Sequence, residues 1–487
     1  MRQWIALIAL VTTSCTSLEP AYVQPAVSVP ASWPAGDSYL AQSEAALPAI
    51  TYRDIFRDPR LQTLIVQALT NNRDLMAAAS NVAAAREQYH IQRADQLPHL
   101  NAAGGATVTG NDDQYSAGLQ VPNFEIDLFG RVRSLSHAEL ERYFATEAAA
   151  RSTRLALVAS IADAWLLHAS DSSLRKIAEE TARSAATSVK LTRARLEGGV
   201  SPRTDLRQAE GILAAAQADV AQQTTLVAQD VNALQLLVGS PIDPALLANS
   251  IDEAAPTVAP LPAGLDSSIL LRRPDVLQAE YQLRAANAEI GAARAALFPR
   301  ISLTGLLGLA TGALSSLFSG GGFGWSLGAD ATYSIFNAGA GRANVRMTEA
   351  QRQAAIADYQ KAIQTAFREV AGALARRGTM GSELQARTMQ AAAAADNLRL
   401  SEARYRAGIE NFLATLDAQR SSYSAQRVLV ATKLDQARNL VDLYQALGGD
   451  DFTRAAPVAA ELRTHASGAY RGHGNTPLRG FRDGGVP

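Results

Sequence analysis

The chain has 487 residues, and its 45 Lys plus Arg nearly cancel 46 Asp plus Glu, leaving a net charge of −1. That balance argues against a nucleic-acid partner, which needs a basic surplus to displace counterions. The chain is 47% hydrophobic but only 6% aromatic, with alanine dominant, a composition that suggests long, closely packed helices. The single cysteine, Cys15, rules out internal disulfides and cysteine cages, and none of the six histidines forms a ligand-spaced pair, so neither metal nor cofactor is expected.

Residues 1–14 read as a signal peptide. Arg2 precedes an apolar run at 4–11 and the small residues Thr12-Thr13-Ser14. The run is too short to span a bilayer, which takes about 20 helical residues. Ending on Cys15, it resembles the lipobox of bacterial lipoproteins, although Thr12 stands where Leu is usual. That resemblance implies lipid attachment at Cys15, and Thr16 in place of Asp leaves no inner-membrane retention signal. Ordinary signal cleavage is the alternative. Residues 15–56 carry Pro20, Pro25, Pro30, Pro34 and Pro48 and read as an extended tether. No other apolar stretch is long enough to span, so any membrane crossing must use strands.

The remainder is written twice, as residues 57–240 and 271–448 around a linker at 241–270. Asn72-Arg73-Asp74-Leu75 returns as Arg273-Pro274-Asp275-Val276, and Leu97-Pro98-His99-Leu100 as Phe298-Pro299-Arg300-Ile301, both 201 residues on. Phe129-Gly130 returns near Phe336-Asn337-Ala338-Gly339. The string from Arg195 to Val200 returns as Arg404-Tyr405-Arg406-Ala407-Gly408-Ile409, now 209 residues on.

Each half predicts a helix, a strand pair, a very long helix, a glycine turn and a further helix. In the first half, helix is expected from Pro59 to Gln96, stopped by Pro98. A strand pair follows at 98–124, where Leu100, Ala102, Gly104, Ala106 and Val108, then Tyr115, Ala117, Leu119 and Val121 alternate. From Arg131 to Leu196 there is neither Pro nor Gly, which allows about 100 Å of helix at about 1.5 Å per residue. Past the turn near residue 199, Leu206, Leu213, Val220, Val227 and Leu234 recur by sevens. In the second half Leu416, Tyr423, Val430, Ala437 and Tyr444 do so after a turn near 408. A seven-residue apolar period means coiled-coil packing, so each half offers an antiparallel coiled hairpin. The second strand pair, at 299–336, alternates Ile301, Leu303, Gly305, Leu307, Leu309 and then Phe323, Trp325, Leu327, Ala329, Ala331, Tyr333. Its roughly ten-residue runs match the 9–11 residues of a transmembrane strand. Phe323, Trp325 and Tyr333 fall near strand ends, where interfacial aromatics collect. A small soluble sheet packed on helices fits the same alternation. The intervening Gly320-Gly321-Gly322-Phe323-Gly324 lacks the Lys-Ser/Thr of a phosphate loop and reads as a connection.

Four strands cannot close a barrel, since the smallest bacterial ones have about eight, and an open edge is not tolerated in lipid. If these strands cross a membrane, several copies must share one barrel.

The signal with Cys15, the doubled layout, Arg272-Arg273-Pro274-Asp275, Phe298-Pro299, Arg404-Tyr405-Arg406-Ala407-Gly408 and Leu416-Asp417-Ala418-Gln419-Arg420 resemble the TolC family of bacterial outer-membrane factors, in its lipoprotein (NodT/OprM-type) branch. The resemblance runs from about Cys15 to Gly449. It implies a mainly α fold with a small β part: a homotrimer whose long hairpins form an α-helical barrel through the periplasm below a shared 12-stranded transmembrane β-barrel. The linker at 241–270 and residues 449–487 would join an equatorial belt, with a disordered tail from about Arg463. The implied function is the exit duct of an efflux pump. Its partners would be a periplasmic adaptor (membrane fusion protein), an inner-membrane RND-type transporter and outer-membrane lipid. No nucleophile–base pair appears, and a passive duct needs none. In related channels the periplasmic aperture is set by residues matching Tyr405, Leu413, Asp417 and Arg420 here. Asp417 and Arg420, three apart on a helix, can pair with each other or bridge to a neighbour. The tips, with Gly199, Ser201 and Asp205 on one hairpin and Gly408, Glu410 and Asn411 on the other, are the expected adaptor-docking surface. The competing reading is a lipid-anchored periplasmic coiled-coil scaffold or adaptor without a pore.

Overall fold

The computed structural model describes residues 17–26, 29–30, 32–34, 51–110, 113–259, 267–319 and 322–449. The signal segment, Cys15 and the tail from Arg463 lie outside the described residues.

A short helix, α1 (Tyr52–Ile55), leads into α2 (Pro59–Asn71) and α3 (Arg73–Ala94). Asp58 caps α2 by accepting from the Arg60 N–H, with Pro59 in the first turn. The uninterrupted helix expected from Pro59 to Gln96 is broken at Asn72, whose backbone turns extended. The break serves two caps. Asn72 Oδ1 accepts from the Leu75 N–H at 2.9 Å, and its Nδ2 donates to the Leu237 carbonyl at 2.8 Å, near the end of a distant helix. Next come β1 (Asn101–Val108), β2 (Asp113–Ile126), α4 (Arg131–Glu197) and α5 (Arg203–Val238). Short turns and the small helix α6 (Ile251–Ala254) form the linker. The second half repeats the order with α7 (Pro274–Ala295), β3 (Arg300–Thr311), β4 (Phe323–Thr332), α8 (Ala340–Arg406) and α9 (Phe412–Ala446). Both α4 and α8 have 67 residues, and each starts on a left-handed glycine, Gly130 or Gly339.

The four strands form one antiparallel sheet in the order β1-β2-β3-β4, so β1 and β4 are free edges in the single chain. The pairing sorts the side chains by face, with Leu306 a large apolar exception on the polar side, opposite Gln120 and Ser326. One face carries Leu119, Val121, Leu303, Leu307, Leu309, Phe323, Trp325 and Leu327. The other carries Ser116, Gln120, Ser302, Thr304, Ser326 and Asp330. β2 reaches beyond its sequence-predicted end because the register shifts between Val121 and Phe124, over Pro122-Asn123. A bulge tolerates the proline, which has no N–H to give the ladder.

The core sits at mid-height of the long helices, where α1, α2, the linker and α7 wrap them. Trp165, Leu61, Leu64, Ile161, Leu234 and Ile251 are fully buried there, and Trp165 Nε1 donates to the Leu246 carbonyl at 3.0 Å. Arg273 is the hinge pin of this belt. Buried, it donates to Asp275, to Glu369 of α8 at 2.8 Å and to the Ala446 carbonyl at the end of α9 at 2.6 Å. Its bond to the Ala446 carbonyl is the counterpart of the Asn72 bond to the Leu237 carbonyl in the first half. The N-terminal arm is stitched along the outside. Asn287 Nδ2 donates to the Pro20 carbonyl, Arg284 stacks over Tyr22, Gln24 donates to Tyr359, and Trp33 stacks on Phe367. At the arm's start, Glu141 and Glu19 hold His137 protonated, its pKa raised to about 10.

Candidate gate and docking tips

The two hairpin tips are built alike. After α4, the Gly199 N–H donates to the Leu196 carbonyl and the Val200 N–H to the Arg195 carbonyl. After α8, Gly408 and Ile409 donate in the same way to Tyr405 and Arg404. Gly199 and Gly408 both sit at φ 74°, in the left-handed region that glycine enters without a Cβ penalty. The polar tip residues hold these turns. Ser201 Oγ donates to Asp205 at 2.8 Å, Arg404 pairs with Glu410 at 3.2 Å, and Asn411 caps α9 by accepting from the Ala414 N–H. Sequence reasoning passed over Val200 and Ile409, which project from the two turns at 68% exposure each. Their identical place in both repeats was the available signal.

The tips pack against each other through Val189, Leu206, Ala209, Tyr405 and Phe412. Arg195, also missed, crosses between them. Its Nη1 donates to the Tyr405 carbonyl at 2.7 Å, and its guanidinium lies 4.7 Å from the Tyr405 ring centre. Higher up, Tyr423 donates to Asp219 at 2.7 Å and ties α9 to α5. Burial and that carboxylate push the Tyr423 phenol up to about 12.

The four aperture residues divide. Leu413, Asp417 and Arg420 share one exposed face of α9, while Ala418, Gln419 and Ser422 turn inward. Tyr405 is not on that face: it is buried against Phe412, 5.3 Å away between ring centres. Of the two arrangements open to Asp417 and Arg420, pairing with each other is not formed in the single chain. Both side chains point outward at spacing three, and neither has an ionic partner among the described residues. Arg420 instead borders a groove of about 350 Å³ between α5 and α9, with Gly211, Ile212, Asp219 and Tyr423. At the other end of the molecule, Phe323 and Trp325 stand exposed on the apolar face of β4, and Tyr333 lies one residue beyond the strand.

Among the described residues no helix is long and apolar enough to cross a membrane. A two-faced sheet on a long helical stalk, with an apolar and charged face at the free end, is the build of a channel subunit.

The profile of the "Outer membrane efflux protein" family matches residues 64–240 and 265–449. The chain is 44% identical over 459 residues to the probable efflux pump outer membrane protein TtgC of Pseudomonas putida, covering 91% of this chain and 94% of that one. It is 39% identical to the outer membrane protein OprJ of Pseudomonas aeruginosa, covering 91% and 95%. Among solved structures, the open state of the Neisseria gonorrhoeae MtrE outer membrane channel superposes with a TM-score of 0.80 at 38% identity, over 89% of this chain and 98% of that one. Crystal structures of CusC, described in terms of transmembrane channel formation, give 0.80 at 37% identity over 89% and 100%. The chain belongs to the outer membrane efflux protein family.

Proposed function

We infer that this chain is the outer-membrane exit duct of a tripartite efflux pump, working as a homotrimer. Substrate passes from an inner-membrane RND-type transporter and a periplasmic adaptor to the exterior. The observation that carries the reading is the sheet: four strands with one apolar face, one polar face and two unpaired edges. Apolar surface of this extent belongs in lipid, and unpaired edges there cost several kcal/mol per peptide group. Three copies supply 12 strands and remove every edge, with the polar face turned to the lumen. Helices of 67 residues, about 100 Å long, then carry the duct away from the membrane. The sheet also weighs against the scaffold reading, which offers its apolar face no cover.

The anchor fits this placement. Ser17, two residues after Cys15, lies against Gly130, where strand gives way to helix. A lipid on Cys15 would enter the membrane at the level where the strands leave it. Several relatives are named for the efflux of antibiotics, toluene or solvents. We place cargo selection in the pump and assign the duct no catalytic step.

At the periplasmic end, three copies of Leu413, Asp417 and Arg420 would converge. Asp417 and Arg420, without an ionic partner among the described residues, are free to bridge to a neighbouring copy, while Leu413 packs across the axis. Tyr405 acts behind this ring by seating α9 on the first hairpin. The test is planar-bilayer conductance of the purified oligomer. Asp417→Ala combined with Arg420→Ala should raise single-channel conductance, and unchanged conductance sinks the gate. Protein that forms no pores at all would return the scaffold reading.

A further inference from the structure

The linker does not lie flat on the second hairpin. Between it and helices α8 and α9 runs a groove of about 460 Å³, within the roughly 300–1,000 Å³ of a built pocket. Val258 of the linker, Met380 and Leu384 of α8 and Leu440 of α9 give it an apolar lining. Two positions in that lining are left unfinished by the described residues. Gly381 places a poor helix former inside α8, yet a Cβ there would meet nothing within 4 Å, so no close packing among the described residues calls for it. Asn439 is 5% exposed and donates its Nδ2 to the Ala373 carbonyl at 3.0 Å, but its buried Oδ1 has no hydrogen-bond partner among the described residues. A buried amide oxygen calls for a donor, and a peptide N–H is one. The groove suits an extended peptide with small apolar side chains.

The chain itself leads there. Gly449, the last described residue, lies against Tyr444: a Cβ on it would stand 3.0 Å from the Tyr444 hydroxyl oxygen. Tyr444 shares one face of α9 with Leu440, Ala437 and Lys433, which line the groove. Its ring also meets Phe56, which bridges to Val258. Back along the helix from Tyr444, Leu440 is about 6 Å away and Lys433 about 17 Å. An extended chain covers about 3.3 Å per residue, so about two to five residues beyond Gly449 span the groove. The sequence that follows supplies Phe452, Ala455, Ala456 and Val458, and Pro457 keeps it from continuing as helix. It opens on Asp450-Asp451, opposite in sign to Arg377 and Lys433 on the groove wall, where Asp252 already pairs with Lys433.

We propose that residues 450–458 turn back along α9 and fill this groove of their own chain, clasping the linker to the second hairpin. The occupant is the chain's own segment rather than a second copy, because Gly449 delivers it to the head of the groove. The seat does not depend on the duct reading, and the native mass of each variant reports the trimer separately. Gly381→Cys, standing in the open space, reports on the cover, with wild-type protein setting the Cys15 background. In the full-length chain in detergent, maleimide should label this cysteine slowly, and a stop after Gly449 should speed labelling roughly tenfold. Phe452→Asp with Val458→Asp, which keeps the whole chain, should do the same and serves if the shortened protein does not fold. Equal rates in these proteins overturn the proposal. In parallel, Leu384 replaced by benzoylphenylalanine is photolysed in the full-length chain and its adducts are mapped. They should fall on residues 450–458 and run as monomer on denaturing gels. Adducts on another copy or on any other peptide, or no adduct at all, overturn it.

Discussion

Asp171 of α4 and Asp230 of α5 are each 8% exposed and close enough to act on one another electrostatically. Asp163 on α4 and Asp442 on α9 crowd the same region, and Arg438 on α9 is the cation that faces all four. Burial, aided by Asp171, pushes the Asp230 carboxyl up to about 7. A carboxyl raised above its ordinary value favours the fold while protonated. Its contribution is complete below about pH 4 and is lost as pH rises through about 7. Wild-type thermal stability should therefore fall between pH 5 and pH 8, whereas Asp230→Asn, which keeps the shape without the charge, should flatten that slope. Parallel slopes for the two proteins in melting curves at both pH values would remove Asp230 from the account. Nothing in the sequence flags this pair. The two residues are 59 positions apart on adjoining helices, and seven-residue periodicity reports which face is apolar, not which polar residues meet across it.

At the level of elements, the sequence was most legible where one physical rule acts alone. The absence of Pro and Gly bounds α4, whose observed span is Arg131–Glu197, and strict alternation marks the strands. It was least legible where a residue does two jobs. Asn72 inside a helical pattern breaks the helix because its amide caps both α3 and the distant end of α5. The strand pair expected at 98–124 stops just short of Ile126, to which β2 runs on through a bulge at Pro122-Asn123. The glycines of the sheet also divide in a way that composition cannot show. A Cβ on Gly118 would stand 2.6 Å from the Leu307 carbonyl oxygen, whereas one on Gly324 meets nothing within 4 Å. Gly118→Ala should cost about 1–3 kcal/mol by forcing β2 from β3. Gly324→Ala should be neutral. Urea midpoints of the two variants in detergent would show the contrast, and equal midpoints would count against the close approach.

Across the whole molecule the repeat is imperfect in an informative way. Leu206 and Ala209 on the first hairpin and Thr415 and Ala418 on the second are equivalent and all buried. The aperture residues have no such echo. Leu413, Asp417 and Arg420 correspond to Thr204, Gln208 and Gly211. In the proposed gate, only the second hairpin carries the means of closing. Gln208→Ala should leave conductance as it was, whereas Asp417→Ala should raise it. A matching rise from both would mean that the hairpins share the task. The aperture residues were legible through family resemblance, and their common exposed face follows from helical spacing. The burial of Tyr405 was not legible, because it depends on Arg195 arriving from the other tip. The N-terminal arm has a bearing on how the chain is made. Residues 17–34 are the earliest part of the described chain to be synthesised, yet they are fastened to Asn287, Arg284, Tyr359 and Phe367, which emerge hundreds of residues later. The leading segment therefore has no seat until the trailing half exists, so the arm can dock only as one of the last steps of folding.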